Sequence, residues 1–439
     1  MSTPSDPNPS GPPPASTPSA VPARRGRGRV IRRALAGVGL VVAIGLGLVI
    51  ASGYWTADRR LAEGAVEQAT ESPFYRLPDP LPSAAPGTIL RQEPLLSAPN
   101  GARAWRILYH STDVHGSDIV VSGVVVAPDS PAPPGGRPIV SWGHPTTGAA
   151  QRCAPSLGIA PFDLIEGLQQ FLDAGYVVVA TDYSGMGAAG PDSYLIGDTE
   201  GNNVLDAALA ARALDGTDAG DRLVLWGHSQ GGQAVLFAAQ RAADYAPELH
   251  LQAVAVAAPA TNLAELLKAD VEDVSGVTIG SYAFAAYSSV YGPTTPGATL
   301  DSILTPEGAA VTDEMAELCL FGQNKELHDI ATPLIGRYLA GDPATAEPWA
   351  TLLAENTPGG VRLPVPLFVA QGDTDQLVRP EITAQFVAGE RALGTEVTFE
   401  TIADTGHGLV ALRAAPKVVD WLKTAAPAPA TAPSTSPAG

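Results

Sequence analysis

Cysteine is nearly missing from this chain: 439 residues hold two, Cys153 and Cys319. They stand far apart, show neither CxxC nor Cys/His spacing, and no HExxH occurs anywhere, so a zinc centre is not expected. Basic residues are also scarce, 26 Lys and Arg against 45 Asp and Glu, for a net charge of −19. Duplex binding relies on Lys and Arg to neutralise phosphates, so no nucleic acid partner is expected. No cysteine follows the apolar run near the N-terminus, which argues against lipid modification there. The chain has no internal repeat.

What is present falls into four parts. Residues 1–33 read as a disordered, basic cytoplasmic tail. Positions 2–23 are mostly Pro, Ser, Thr and Ala, too poor in large apolar side chains to offset the entropy of ordering. Six arginines follow, at 24, 25, 27, 29, 32 and 33, against the single acid Asp6. Residues 34–55, ALAGVGLVVAIGLGLVIASGYW, are uncharged and long enough to span a bilayer, so they read as a transmembrane helix or signal anchor. The arginines before this run, against only Arg59 and Arg60 after it, place the N-terminus inside, with Tyr54 and Trp55 at the outer interface. A cleaved signal peptide is the rival, since Ala51-Ser52-Gly53 is a usable small-residue cleavage site. The body is then extracytoplasmic in both cases, at the cell membrane or secreted. Residues 425–439 read as a second disordered tail.

Residues 74–424 carry the pattern of a folded domain. Eight short runs rich in Val, Ile and Leu recur: RAWRILYHST, DIVVSGVVVAP, PIVSWGH, YVVVATDY, RLVLWGH, LQAVAVAAP, VPLFVAQG and EVTFETI. The first two alternate and suit an antiparallel pair. The later ones are continuously apolar, as in strands buried on both faces. Helical stretches separate them, near 161–174, 201–214, 230–244, 380–392 and 408–423. This alternation implies an α/β domain, a mostly parallel sheet with helices on both faces. One interval breaks the rhythm: about 261–363 has helix-like pieces and no buried strand, which reads as a largely helical cap inserted over the strand ends.

Chemistry points to the stretch Gly227-His228-Ser229-Gln230-Gly231. A serine between glycines, where a strand turns into a helix, adopts a strained backbone that lifts Oγ off the sheet toward the helix N-terminus. A serine needs a base, and the base an orienting acid. In this architecture they follow in the order Ser, acid, His. His407 is the only histidine downstream of Asp373 and Asp375, so it is the expected base. Asp375 is preferred as the acid, with Asp373 and then Asp404 behind it. The oxyanion hole calls for two backbone N–H groups. Gln230 should give one. The loop after PIVSWGH should give the other, and since Pro145 has no N–H, Thr146 is chosen with Thr147 in reserve.

With these pieces assembled, the chain resembles the α/β-hydrolases, and among them the secretory lipase family with its large cap. The matching segments are PGTILRQEPL (86–95), SWGHPTTG (141–148), YVVVATDYSGMG (176–187), WGHSQGGQA (226–234), QGDTDQLV (371–378) and GHG (406–408). The resemblance implies the α/β-hydrolase fold, a Ser229–Asp375–His407 triad, and a small-molecule or lipid ester as substrate. It departs at Pro145, where relatives often have glycine. If the body is exported, Cys153 and Cys319 can oxidise, and a bridge would tie the loop after PIVSWGH to the cap.

Three other readings compete. Gly185-Met186-Gly187-Ala188-Ala189-Gly190 is a literal GxGxxG, but Pro191-Asp192-Ser193 follow where a nucleotide-binding helix should open. The triad could serve an acyltransferase or a peptidase, since the acyl-enzyme is shared. The scaffold could also be a surface-displayed, non-catalytic binding protein. The expectation is a lipase or esterase that needs no cofactor and no metal.

Overall fold

The computed structural model describes residues 72–158, 161–270 and 272–427. The predicted N-terminal tail, the apolar segment Ala34–Trp55 and residues 428–439 lie outside the described residues. Among the described residues no helix is long and apolar enough to cross a membrane.

Nine strands make one sheet: β1 (Ile89–Pro94), β2 (Ala102–Thr112), β3 (Asp118–Pro128), β4 (Arg137–Gly143), β5 (Val177–Thr181), β6 (Ala219–His228), β7 (His250–Ala257), β8 (Leu367–Gly372) and β9 (Val397–Ile402). Their order across the sheet is β1-β2-β3-β5-β4-β6-β7-β8-β9. The β1, β2 and β3 strands run antiparallel, and β3 meets β5 antiparallel. From β5 to β9 every pair is parallel. Eight strands coincide with the eight apolar runs. The ninth, β1, reads ILRQEP and none of its residues is fully buried. It sits at the sheet's edge, where one strand of pairing suffices and no hydrophobic signal is required.

The helices are α1 (Leu168–Asp173), α2 (Gly197–Ala213), α3 (Gln230–Tyr245), α4 (Leu263–Asp270), α5 (Val274–Tyr291), α6 (Pro306–Ala316), α7 (Asn324–Ala331), α8 (Trp349–Glu355), α9 (Pro380–Leu393) and α10 (Val410–Ala425). The last of these enters the predicted C-terminal tail by one residue. Strand alternation divides the core in two. Val140, Trp142, Val178, Val224 and Trp226 face one side, where Phe171 of α1 and Val418 of α10 meet them. Ile139, Val177, Val179, Leu223 and Leu225 face the other, against Leu205 of α2 and Val235 of α3. Each fully buried Val or Leu contributes about 1.5–3 kcal/mol, so burial on both faces explains the continuously apolar strands.

Helices α4–α8 form the expected cap between β7 and β8. Asp273 caps α5 by accepting from the N–H groups of Ser275 (2.7 Å) and Gly276 (3.1 Å). Thr305 caps α6 by accepting from Gly308 N (3.1 Å), with Pro306 in the first helical position. Each cap satisfies helix-end donors that would otherwise be left unpaired. The aromatic side chains Tyr282, Phe284, Tyr338 and Trp349 are buried in the same cluster as the Trp142 face. Asn356 fastens the cap to the body: its Oδ1 accepts from Gly197 N at 2.8 Å and its carbonyl from Gln233 Nε2 at 2.9 Å. The GxGxxG stretch is a loop here, and the next helix, α2, opens only at Gly197.

Candidate active site

Parallel strands deliver their C-terminal ends to one edge, and the chemistry-bearing residues emerge there. Ser229 directly follows β6, with φ 57° and ψ −117°. That conformation is strained for any residue with a Cβ, and neighbouring bonds must hold it. Ser229 N donates to Ala257 O (3.0 Å), and Ser229 O accepts from Ala260 N (3.1 Å). The flanking glycines are steric necessities. A Cβ on Gly227 would lie 2.2 Å from Gly231 O, and one on Gly231 would lie 1.9 Å from Gly143 O.

His407 follows β9 and Asp375 follows β8. The Ser229 Oγ lies 2.8 Å from His407 Nε2, and His407 Nδ1 donates to Asp375 Oδ2 at 2.8 Å. With Nδ1 facing a carboxylate, the proton belongs there, which leaves Nε2 free to accept from the serine hydroxyl. Asp375 is buried at 2% exposure. Its Oδ1 accepts from Leu377 N (3.0 Å) and Val378 N (2.9 Å), and its Oδ2 also accepts from Gln371 Nε2 (3.3 Å). Asp373 points elsewhere, accepting from Thr405 N at 3.2 Å, and so braces the loop that carries His407. Asp404 sits in that same loop and is exposed. The structure therefore brings together Ser229, His407 and Asp375 and leaves both rival aspartates outside.

Burial pushes the His407 imidazole below the ordinary histidine range; the bond to Asp375 opposes this, while charge on His228 would lower it further. His228 escaped the sequence reasoning. Its ring lies 4.9 Å from that of His407, and its Nδ1 donates to Glu166 Oε2 at 2.7 Å. The backbone oxygen of Glu166 accepts from Trp226 Nε1 at 2.8 Å, tying this pair to β6. The histidine stood in plain view beside Ser229; nothing in the sequence paired it with Glu166.

The loop after β4 carries the expected first oxyanion donor. Thr146 is buried, and its Oγ1 shares a 2.7 Å hydrogen bond with Tyr194 OH. Thr147 Oγ1 donates to Cys153 O (2.9 Å), and Thr147 O accepts from Leu320 N (2.9 Å). Cys153 and Cys319 form a disulfide with a sequence separation of 166 residues. It joins this loop to the cap, as the sequence suggested. In the chain-entropy model, closing a loop of that length contributes about 5 kcal/mol. Thr146, Ser229 and Gln230 share one cavity with Leu263, Leu266 and Leu267 of α4 and Ile279 of α5. Apart from Thr146, Ser229, Gln230 and the Tyr194 hydroxyl, its walls are mostly apolar. Among the described residues no cluster of His, Cys, Asp and Glu could hold a metal ion.

A model of the family described as "Secretory lipase" matches residues 163–427, more than half of the chain. The chain belongs to the secretory lipase family. Lipase A of Moesziomyces aphidis is 26% identical over 45% of this chain and 44% of its own. A Mycobacterium tuberculosis protein named "Probable inactive lipase" is 26% identical over 44% of this chain and 46% of its own. These alignments thus span about half the length of each relative. Among solved structures, the rice cell wall degrading esterase LipA from Xanthomonas oryzae superposes with a TM-score of 0.64 at 20% identity, covering 77% of this chain and 98% of its own. At that identity the likeness speaks to fold alone: it is the α/β-hydrolase fold, a mostly parallel sheet between helices. The secretory lipase match begins at Asp163, so β1–β4 and the loop bearing Thr146 lie outside it.

Proposed function

We propose that the protein is an exported serine hydrolase that cleaves carboxylic esters through an acyl-enzyme. The observation that carries this reading is the unbroken chain of contacts from Ser229 Oγ to His407 to Asp375, each at 2.8 Å. Ser229 attacks the ester carbonyl carbon while His407 Nε2 takes its proton. Asp375 holds the imidazole tautomer and supports the imidazolium that forms. The N–H groups of Gln230 and Thr146 receive the developing oxyanion. His407 returns the proton to the leaving alkoxide, and water then cleaves the acyl-enzyme by the same route. Family membership supports an ester as the substrate, and the leucine-lined cavity supports an apolar acyl group. The disulfide supports export, because such bonds persist in oxidising compartments. The segment Ala34–Trp55 would make the exported body membrane-anchored if it is retained.

The test is covalent. A fluorophosphonate probe is expected to label the wild type at one site, Ser229, and to leave Ser229→Ala unlabelled. Wild-type protein that neither reacts with the probe nor turns over p-nitrophenyl esters would favour the non-catalytic binding reading, which the name of the mycobacterial relative also invites. Faster transfer to alcohols or amines than to water would move the protein to the acyltransferases.

A pH profile follows from the lowered pKa of His407. The base works only when neutral, so its active form persists into mildly acidic solution. The acid limb of kcat/KM is expected to have its midpoint below about 6.5, the ordinary histidine value. A midpoint clearly above neutrality would mean that the imidazolium is favoured in the free enzyme, contrary to the burial described.

A further inference from the structure

Directly beneath the site lies a carboxyl group that the catalytic scheme does not use. Glu200, in the first turn of α2, has 0% of its surface exposed. Its Oε1 accepts from Gln230 Nε2 at 2.6 Å and from Leu195 N at 3.2 Å. Both donors are neutral. Glu200 Oε2 and Gln230 Oε1 are buried without a hydrogen-bond partner among the described residues. An ionised carboxylate with a bare, buried oxygen would be far costlier than the protonated acid, whose unpaired hydroxyl carries only the smaller penalty of a neutral group. Burial accordingly pushes the Glu200 carboxyl well above the usual carboxylate range, with the bonds from Gln230 and Leu195 opposing it.

Each partner leads to one half of the oxyanion hole. Gln230 follows the nucleophile and is the second expected donor. Leu195 follows Tyr194, whose hydroxyl bonds Thr146, the first expected donor. Leu195 has φ 57°, strained for a side-chain-bearing residue. Its carbonyl is held by Gln233 Nε2 and Tyr287 OH, both at 3.0 Å, and its N–H by Glu200. A strained residue gripped at both ends is one whose position the surroundings dictate.

We propose that Glu200 is a positioning residue that couples the two halves of the oxyanion hole, a single neutral carboxyl joining the Thr146–Tyr194–Leu195 side to the Ser229–Gln230 side. This rests on the ester-hydrolase reading above. A carboxylate at this place would set negative charge behind the donors that receive the oxyanion; the neutral acid supplies the same bonds without it.

The experiment compares Glu200→Gln, Glu200→Asp and Glu200→Ala with wild type on p-nitrophenyl butyrate, and measures melting temperature for each. Glutamine keeps the length, the neutrality and the accepting oxygen, so Glu200→Gln is expected to retain kcat within about threefold. Aspartate withdraws the acceptor by one methylene. Glu200→Asp is expected to lose roughly tenfold or more in kcat with KM little changed, the signature of weakened transition-state stabilisation. Glu200→Ala should lose at least as much; if it does not fold, the aspartate variant decides. Glu200→Gln as impaired as Glu200→Asp would show that charge is needed and overturn the proposal, as would full activity in Glu200→Asp. A fall confined to KM would overturn it too. Wild-type protein without ester turnover or fluorophosphonate labelling would remove the underlying reading and this inference with it, whereas labelled wild type with an indifferent Glu200 would remove the inference alone.

Discussion

Replacing His407 with alanine is expected to lower ester turnover by roughly 10⁵- to 10⁶-fold, the scale seen when one member of such a unit is deleted, while the protein stays folded. The side chain is partly covered, at 17% exposure, and its two hydrogen bonds run to Ser229 and Asp375 alone. Its removal therefore empties no part of the hydrophobic core. The chemical effect is of another order. Without the imidazole, Oγ loses the one base hydrogen-bonded to it among the described residues, and a serine hydroxyl at its own pKa is a feeble nucleophile. The binding cavity and backbone donors remain, so some catalysis above the background in water should persist. The check is kcat with p-nitrophenyl esters beside a thermal melt. Activity within tenfold of wild type in a folded His407→Ala protein would remove histidine 407 from the base role.

The pair Asp375→Asn and Asp373→Asn should behave in opposite ways. Asparagine at 375 keeps the shape but offers an amide where a carboxylate held the Nδ1 proton, which favours the wrong tautomer; a loss of about 10⁴-fold in kcat is expected. Asparagine at 373 can still accept from Thr405 N through its carbonyl oxygen, so the brace on the His407 loop survives and kcat should change by less than about tenfold. The two variants differ by two positions in one loop and share the same chemical change, which makes each a control for the other. Equal losses would mean that loop disruption, not tautomer control, underlies the effect at 375. A larger loss at 373 would reassign the acid. Steady-state kinetics on a single p-nitrophenyl ester suffices.

The preference for Asp375 over Asp373 was legible only in outline. Both stand after an apolar strand in the right chain order, and composition cannot say which carboxylate turns inward. The turn decides it: Asp375 Oδ1 caps the N–H groups of Leu377 and Val378, which swings Oδ2 toward Nδ1. Asp373 is drawn to Thr405 by the close approach of the two loops, where a Cβ on Gly372 would sit 2.2 Å from Thr405 O. The edge strand β1 was missed for a different reason. Its residues are partly exposed and include Arg91 and Glu93, and it is a strand because β2 offers it a ladder. The Glu166–His228 and Glu200–Gln230 pairs were equally out of view, since their partners lie 62 and 30 residues apart.

The amino-acid sequence alone determined what is periodic or local. Apolar runs of strand length, separated by helical stretches, specify a sheet buried on both faces, because anywhere else such strands would leave apolar surface in water. Gly227 and Gly231 around Ser229 specify the elbow, because no other residue fits so near the neighbouring backbone. Chain order after the cap left one histidine for the base. Tertiary structure decided what depends on contacts between distant segments: which aspartate faces the imidazole, how the disulfide grips the Thr146 loop, and why a buried glutamate lies under Gln230. Those outcomes turn on distances of a few ångströms between elements whose separation along the chain carries no trace of them, and hydrogen bonds at that range are made or lost by the packing of the whole sheet.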